Sequence, residues 1–303
     1  MTFEVTILGS NSALPAHGRH PTSQVINHHE KLFLLDCGEG TQVRLSHQKI
    51  KRSKIDYIFI THLHGDHYYG LLGLLTSYHL LRRPNPLHLF GPPGLKEIID
   101  LQFKHSDTRL VYELVFHPVS GEHHEMVLDL DEISVFTLPM NHRIPCCGYL
   151  FREKIGLRKI IPEKLEQFGI PKSAINDLKS GKDFQSGDQI IPNREVTTDA
   201  ALPRTYAHCS DTLYDEALIP LIKGANLLYY ETTFMNESLE RAVQTFHSTT
   251  LQAGYIAKAA GVKKLLIGHF SAKYKELLPM LEETKTVFSE TYLATEGETF
   301  LID

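Results

Sequence analysis

The stretch THLHGDH, Thr61 to His67, places three histidines and one aspartate within six positions, directly after the apolar run IDYIFI. In an extended chain, residues two apart point to the same face. His62 and His64 can therefore aim their rings at one point. Gly65 allows the chain to change direction, so that Asp66 and His67 aim at a second point nearby. Imidazole suits zinc, and imidazole with carboxylate suits zinc, manganese or iron. With 18 histidines in the chain, a search for the remaining ligands is warranted. His142 follows the apolar run ending FTLPM, Asp211 follows TYAHCS, and His269 follows KLLIG. Each lies where an apolar strand meets a polar loop, and functional groups of α/β folds collect at the carboxyl ends of strands. A lone histidine at a strand end is ordinarily a turn residue; the recurrence at four strand ends is what carries weight. His28, His29, His123 and His124 sit in polar turns and are expected to be solvated, while His79 and His105 sit on helices where packing is the default.

The elements that must position these groups are legible as periodicity. FEVTILG reads as a strand, and SQVINHH with KLFLLDC reads as a hairpin turning at Glu30. Gly70 to Leu81 has helical length and a wide apolar face, PLHLFGP is a strand, and LKEIIDLQFKH is a helix. Strands return at VYELVF, EISVFTLPM and GYLFRE. Residues 154–203 are polar and broken by Gly and Pro, and predict an inserted arm of short helical pieces within a single domain of residues 1–303. After TYAHCSD the pattern predicts a helix over 215–223, a strand NLLYYET and a helix through LQAGYIAKAAG. The strand KLLIGHF, a helix near 275–284 and a closing strand TFLID complete the chain. The layer logic points to two sheets with helices outside, a four-layer α/β sandwich.

The chain of 303 residues is long enough for one large α/β domain, and 42% apolar residues is ordinary for a globular protein. No apolar run has the length of a membrane span. The N-terminus opens on a strand pattern without a signal-peptide profile, which predicts a cytoplasmic protein. Four cysteines without C-x-x-C spacing fit a reducing compartment and argue against a cysteine zinc site. A net charge of −5 shows no global basic surplus, so a polyanion partner must be met by local patches or by metal charge.

Taken in order, LFLLDCGEGTQ, THLHGDHYYGLLGLL, HLFGPPG, NHRIPCCGY, CSDT, YYETTF, FHSTT and IGHFSAKY make the chain resemble the ribonuclease Z family, the tRNA 3′-processing endonucleases of the metallo-β-lactamase fold superfamily. The resemblance covers almost the whole chain. It implies an αββα sandwich with two zinc ions, manganese or iron being the alternatives. His62, His64 and His142 would hold one ion, Asp66, His67 and His269 the other, and Asp211 both. It also implies that Glu231 holds His247, which protonates the leaving oxygen, while Asp66 orients the nucleophile or takes its proton. On chemistry alone, a carboxylate–imidazole pair fixes a tautomer and raises the imidazole pKa. The bland alternative is a helix start capped by Ser248 or Thr249. The implied substrate is precursor tRNA, and the implied assembly a homodimer.

Three features depart from the family pattern. Its P-x-K-x-R-N loop is PAHGRH here, with Arg19 retained and His17 and His20 substituted. The residue before the metal histidine is Asn141 where the family has Asp. The arm keeps LEQFGIP and LKSGKDF, while KIGLRK is the nearest match to its tip. Candidate tRNA contacts are Arg19, Lys51, Arg52, Arg158, Lys159 and Lys273, drawn largely from the basic clusters around Lys49–Lys54 and Arg158, with Arg82 and Arg83 as a further cluster. Two other functions remain open at this point: a phosphodiesterase of the same fold acting on cyclic nucleotides or small diesters, and a non-catalytic RNA-binding protein.

Overall fold

Burial alternates along Phe3–Gly9 (β1), where Phe3, Val5 and Ile7 point inward and Glu4 and Thr6 do not. That period of two is the mark of a strand packed on one face. The computed structural model describes residues 2–187 and 189–303. Compactness divides the chain into two units, one of residues up to 128 with 135–151 and 205–303, the other of residues 129–134 with 152–204.

In the larger unit, β1 pairs with Ser23–His28 (β2), and β2 with Lys31–Leu35 (β3). The β2–β3 turn is His29–Glu30, both at positive φ (50° and 67°), the backbone of a two-residue hairpin loop. Ile55–Phe59 (β4), Leu87–Gly91 (β5) and Leu114–Pro118 (β6) extend this sheet in parallel. The second sheet comprises Met126–Asp129 (β7), Ile133–Pro139 (β8), Cys147–Glu153 (β9), Thr205–Cys209 (β10), Leu227–Glu231 (β11), Lys264–Gly268 (β12) and Thr291–Leu293 (β13), in the order β13-β12-β11-β10-β9-β8-β7. Thr299–Leu301 (β14) returns to the free edge of β1.

Among the described residues, the α-helices of this unit are Thr41–His47 (α1), Gly65–Tyr68 (α2), Leu71–Leu80 (α3), Gly94–His105 (α4), Leu239–Thr245 (α5), Thr250–Ala260 (α6) and Leu278–Lys285 (α7). Leu71, Leu74, Leu75 and Tyr78 of α3 pack with Leu95 and Ile99 of α4 on one face of the first sheet. Ala253, Ile256 and Ala257 of α6 and Met280 of α7 pack on the second. Between the sheets lie aromatic rings, with centroids 5.0 Å apart for Phe59 and Tyr149 and 5.5 Å for Phe33 and Phe151. Each fully buried ring of this size contributes roughly 1.5–3 kcal/mol over exposure. The four layers expected from the pattern are therefore present, and β4, β10, β11 and β12 place the residues that follow them along the carboxyl ends of their sheets.

Some local expectations fail for identifiable reasons. Residues 215–223 form only the 3-10 turn Glu216–Leu218, capped by the Asp215 carboxylate, and Pro220 supplies no N–H to continue it. The strand expected from Val111 begins at Leu114; Val111 N donates instead to His79 Nδ1 of α3, and the Tyr112 hydroxyl to the Leu75 carbonyl. The helix α1 carried no apolar signal strong enough to be expected. His28 is buried in β2 against the edge of Phe3, not solvated. His105 is exposed at the end of α4 and does not pack.

In the smaller unit, Ile170, Leu178, Ile191 and Val196 are buried together, with Leu165, Phe168 and Phe184 against them. Short helices at Pro162–Gln167 and Ile175–Lys179 and the hairpin Phe184–Ser186 with Gln189–Ile191 carry this cluster. The polar stretch expected as an arm thus has a small apolar core, built from residues too scattered to show as periodicity.

Candidate metal centre and active site

Beyond β4 the chain runs through Ile60 and Thr61 into His62 and His64, then enters α2, which carries Asp66 and His67. Gly65 is not at positive φ, so the turn there does not need glycine, and an added Cβ would meet only the exposed, movable Tyr69 ring, at 2.2 Å. His142 follows β8, Asp211 follows β10 and His269 follows β12. All seven expected donors converge in two overlapping groups whose ligand atoms lie within 4.8 Å of one another: His62, His64, His142 and Asp211, and Asp66, His67, Asp211 and His269.

Asp211 belongs to both groups through different oxygens. Its Oδ2 lies 3.6 Å from His62 Nε2 and 4.0 Å from His142 Nε2. Its Oδ1 lies 3.5 Å from His67 Nε2 and 3.2 Å from His269 Nε2. Asp66 Oδ2 faces the same two rings, at 3.5 Å and 3.4 Å. Burial opposes ionisation of both aspartates, but the surrounding imidazoles hold their carboxylates well below the usual range.

These donors fit a divalent cation. In the first group, His64 Nδ1 lies 3.0 Å from His62 Nε2 and 3.2 Å from His142 Nε2. Zinc–nitrogen bonds of 2.0–2.1 Å imply tetrahedral edges of about 3.3 Å. His67 Nε2 and Asp211 Oδ1 are fully buried without a hydrogen-bond partner, and such groups ordinarily have one. Burial opposes protonation of His67, yet Asp211, Asp36 and Asp66 together push its pKa well above the ordinary value. The cluster holds an excess of negative charge that a cation neutralises.

The far nitrogens of four rings are fixed by oxygen acceptors. His62 Nδ1 lies 3.0 Å from Thr61 Oγ1, His67 Nδ1 2.7 Å from Asp36 Oδ2, His142 Nδ1 2.9 Å from the Phe246 carbonyl, and His269 Nδ1 2.9 Å from Thr233 Oγ1. Each contact places the proton on Nδ1 and aims the Nε2 lone pair at the cluster. Asp36 is fully buried and also accepts from Thr61 N and Oγ1 at 2.9 and 3.0 Å. Asp36, Phe246 and His269 are non-glycine residues at φ of 54°, 61° and 60°. This conformation is strained, and such strain concentrates at functional sites. Sequence reasoning did not single out Asp36, although it ends the apolar run KLFLLD much as the ligands follow theirs. Asp36→Asn is expected to weaken metal binding about 10–100-fold, read by metal content after dialysis against a graded chelator.

Glu231, at the end of β11, is fully buried, and its Oε1 lies 2.9 Å from His247 Nδ1. The carboxylate also accepts from Ser248 N, Thr212 N, Thr233 N and Thr233 Oγ1. So many donors saturate it as an acceptor, which disfavours a third metal site with His247 and His269. Burial lowers the basicity of His247, but Glu231, Asp211 and Asp66 outweigh it and push its pKa up to about 9. The helix-cap alternative also holds: Thr249 and Gln252 form a capping box at the start of α6, fixing the chain just beyond His247. Asn141 engages through its backbone, to Thr212 Oγ1 and Leu213 N.

The pocket over the donors is lined by His64, Asp66, Tyr69, Arg143, Thr245 and His247, among others. Among the expected RNA contacts, Arg19 turns inward to Asn11 Oδ1 and the carbonyls of Tyr274 and Lys275, and shapes its own loop. Lys273 reaches Ser238 Oγ at 3.0 Å and Glu237 at 3.4 Å. Lys51 is exposed and Arg52 partly covered; neither lines the pocket. Arg83 is buried on Asp56 and three backbone carbonyls and belongs to the core, not to a gripping surface. In the smaller unit Arg158 is tied to Thr197 and Asp199, and Lys159 is exposed.

Residues 3–155 match the family model of the Anti-Pycsar protein Apyc1. That span ends before Asp211, Glu231, His247 and His269. Similarity to ribonuclease Z of Porphyromonas gingivalis runs through all of them, at 42% identity over 97% of both chains. Human tRNase Z, short form, superposes with a TM-score of 0.72 at 25% identity over 99% of both chains. The metallo-beta-lactamase fold protein YhfI of Bacillus subtilis superposes with a TM-score of 0.71 at 20% identity over 99% of this chain and all of that one. With this fold and this extent of likeness, the chain belongs to the ribonuclease Z family.

Proposed function

We propose that this chain is a metal-dependent endoribonuclease that removes the 3′ trailer from precursor tRNA, cutting beside the discriminator nucleotide. The tRNA would keep a 3′-hydroxyl and the trailer a 5′-phosphate. The observation that carries this reading is the Glu231–His247 pair beside the seven-donor cluster, in a chain of the ribonuclease Z family. Two zinc ions held by the two donor groups would lower the pKa of a water and neutralise phosphate charge. Asp66, with Oδ2 fixed by Ala13 N at 2.8 Å, orients the attacking water or takes its proton. The Glu231 carboxylate raises the pKa of His247, which favours its acid form, and the ring lines the pocket. It donates its proton to the departing 3′ oxygen. Glu231 keeps the ring in register and stabilises its charge.

Residues 154–203 serve as the tRNA-gripping arm, through phosphate contacts that set affinity and salt dependence. Their deletion is expected to depress cleavage of 3′-extended tRNA by far more than turnover of bis(p-nitrophenyl) phosphate; equal losses would make the segment structural. A homodimer in the cytoplasm completes the proposal. No helix among the described residues is long and apolar enough to cross a membrane. The test is cleavage of a 3′-extended tRNA against turnover of a cyclic nucleotide. Robust turnover of the cyclic nucleotide with the tRNA left intact would replace this function by a small-diester phosphodiesterase.

A further inference from the structure

Of the five histidines in the donor cluster, four have their outer nitrogen held by an oxygen acceptor, and His64 does not. His64 joins the cluster through Nδ1, 3.0 Å from His62 Nε2 and 3.2 Å from His142 Nε2. Three ring nitrogens this close cannot all carry protons, and the contacts at Thr61 and Phe246 already put the protons of His62 and His142 on Nδ1. When a cation takes the three lone pairs, the proton of neutral His64 must sit on Nε2. That atom faces Arg143 Nη2 at 3.3 Å. A guanidinium only donates, so a metal-loaded site sets two N–H donors side by side with no acceptor between them. Arg143 is exposed, and it and His64 both line the pocket over the donors.

We propose that Arg143 and His64 Nε2–H form a two-donor subsite for an oxygen of a phosphate flanking the scissile one in a polynucleotide substrate. The guanidinium fork matches a phosphate in shape and charge. The chain bears a net charge of −5, and several of its other arginines are tied into the fold, so a cation at the pocket wall counts. The identity of the polynucleotide as precursor tRNA rests on the function proposed above; the subsite itself does not.

The test compares Arg143→Gln and Arg143→Lys with the parent enzyme, after equal metal content has been verified. Loss of one charge-assisted hydrogen bond predicts a roughly 10–100-fold rise in KM for a 3′-extended tRNA. The loss should sit in KM more than in kcat, and lysine should restore part of it. Turnover of bis(p-nitrophenyl) phosphate, which has one phosphorus, should suffer much less. In a His247→Ala background, equilibrium binding of the same tRNA should weaken in parallel, and its log–log salt slope should fall by about 0.7–0.9. Unchanged KM and binding would overturn the subsite, leaving the donors facing water alone. Equal losses on both substrates would overturn it too, making Arg143 a support for His64. If the parent enzyme cuts the small diester but not tRNA, the tRNA function fails separately, and a single-stranded oligoribonucleotide replaces tRNA in the same comparison.

Discussion

Asp66→Ala is expected to abolish RNA cleavage and to lower the metal content per chain by one ion. Its carboxylate faces His67 Nε2 and His269 Nε2 at 3.5 Å and 3.4 Å and is anchored by Ala13 N. Removing it takes one of four donors from the second group and leaves the first group intact. Loss of a proton acceptor alone lowers rates by about 10²–10⁴-fold, and the weakened metal site adds to that. Metal content per chain, measured beside the cleavage rate, checks both parts. A variant that retains the metal content of the parent and most of its activity would remove Asp66 from the site.

His247→Ala is expected to lower cleavage by a similar factor, about 10²–10⁴-fold, with metal content unchanged from the parent. The difference follows from the hydrogen bonds. His247 spends Nδ1 on Glu231, which is saturated by backbone and hydroxyl donors, so in the proposed function the ring is an acid and not a metal ligand. The pH dependence has a definite sign. The acid form of His247 exists below its pKa of about 9, so activity that needs it falls as pH rises through that value. Glu231→Gln removes the main group that raises the pKa, and the alkaline limb of the rate profile should move to lower pH. Metal loss in His247→Ala, or an alkaline limb unmoved in Glu231→Gln, would count against the acid role.

The positions of the donors were legible because each has a local signature, an apolar strand that breaks into a loop at a histidine or aspartate. What holds them was not. Asp36 meets His67 across 31 residues of sequence, Phe246 meets His142 across 104, and Thr233 meets His269 across 36. Such contacts depend on which strands become neighbours, and periodicity does not state that. The same limit applies to the cations. A run such as LLRRP displays charge, but whether an arginine faces solvent or folds inward, as Arg83 does onto Asp56 and the Ile55 carbonyl, is decided by the β4 residues it meets. The turn read at Gly65 is the start of α2, made without a positive φ, so the backbone freedom of glycine is not what it uses. The sandwich was legible from the alternation of elements, whereas the apolar core of residues 152–204 was hidden in a polar stretch.

The central claim, that this centre cuts precursor tRNA at one phosphodiester, is tested most directly by mapping the ends produced from a 3′-extended tRNA in the presence of zinc or manganese. The account requires a single cut beside the discriminator, with a 3′-hydroxyl on the tRNA and a 5′-phosphate on the trailer. Cuts scattered along the trailer, a 3′-phosphate on the tRNA, or an intact tRNA beside a hydrolysed cyclic nucleotide would contradict it.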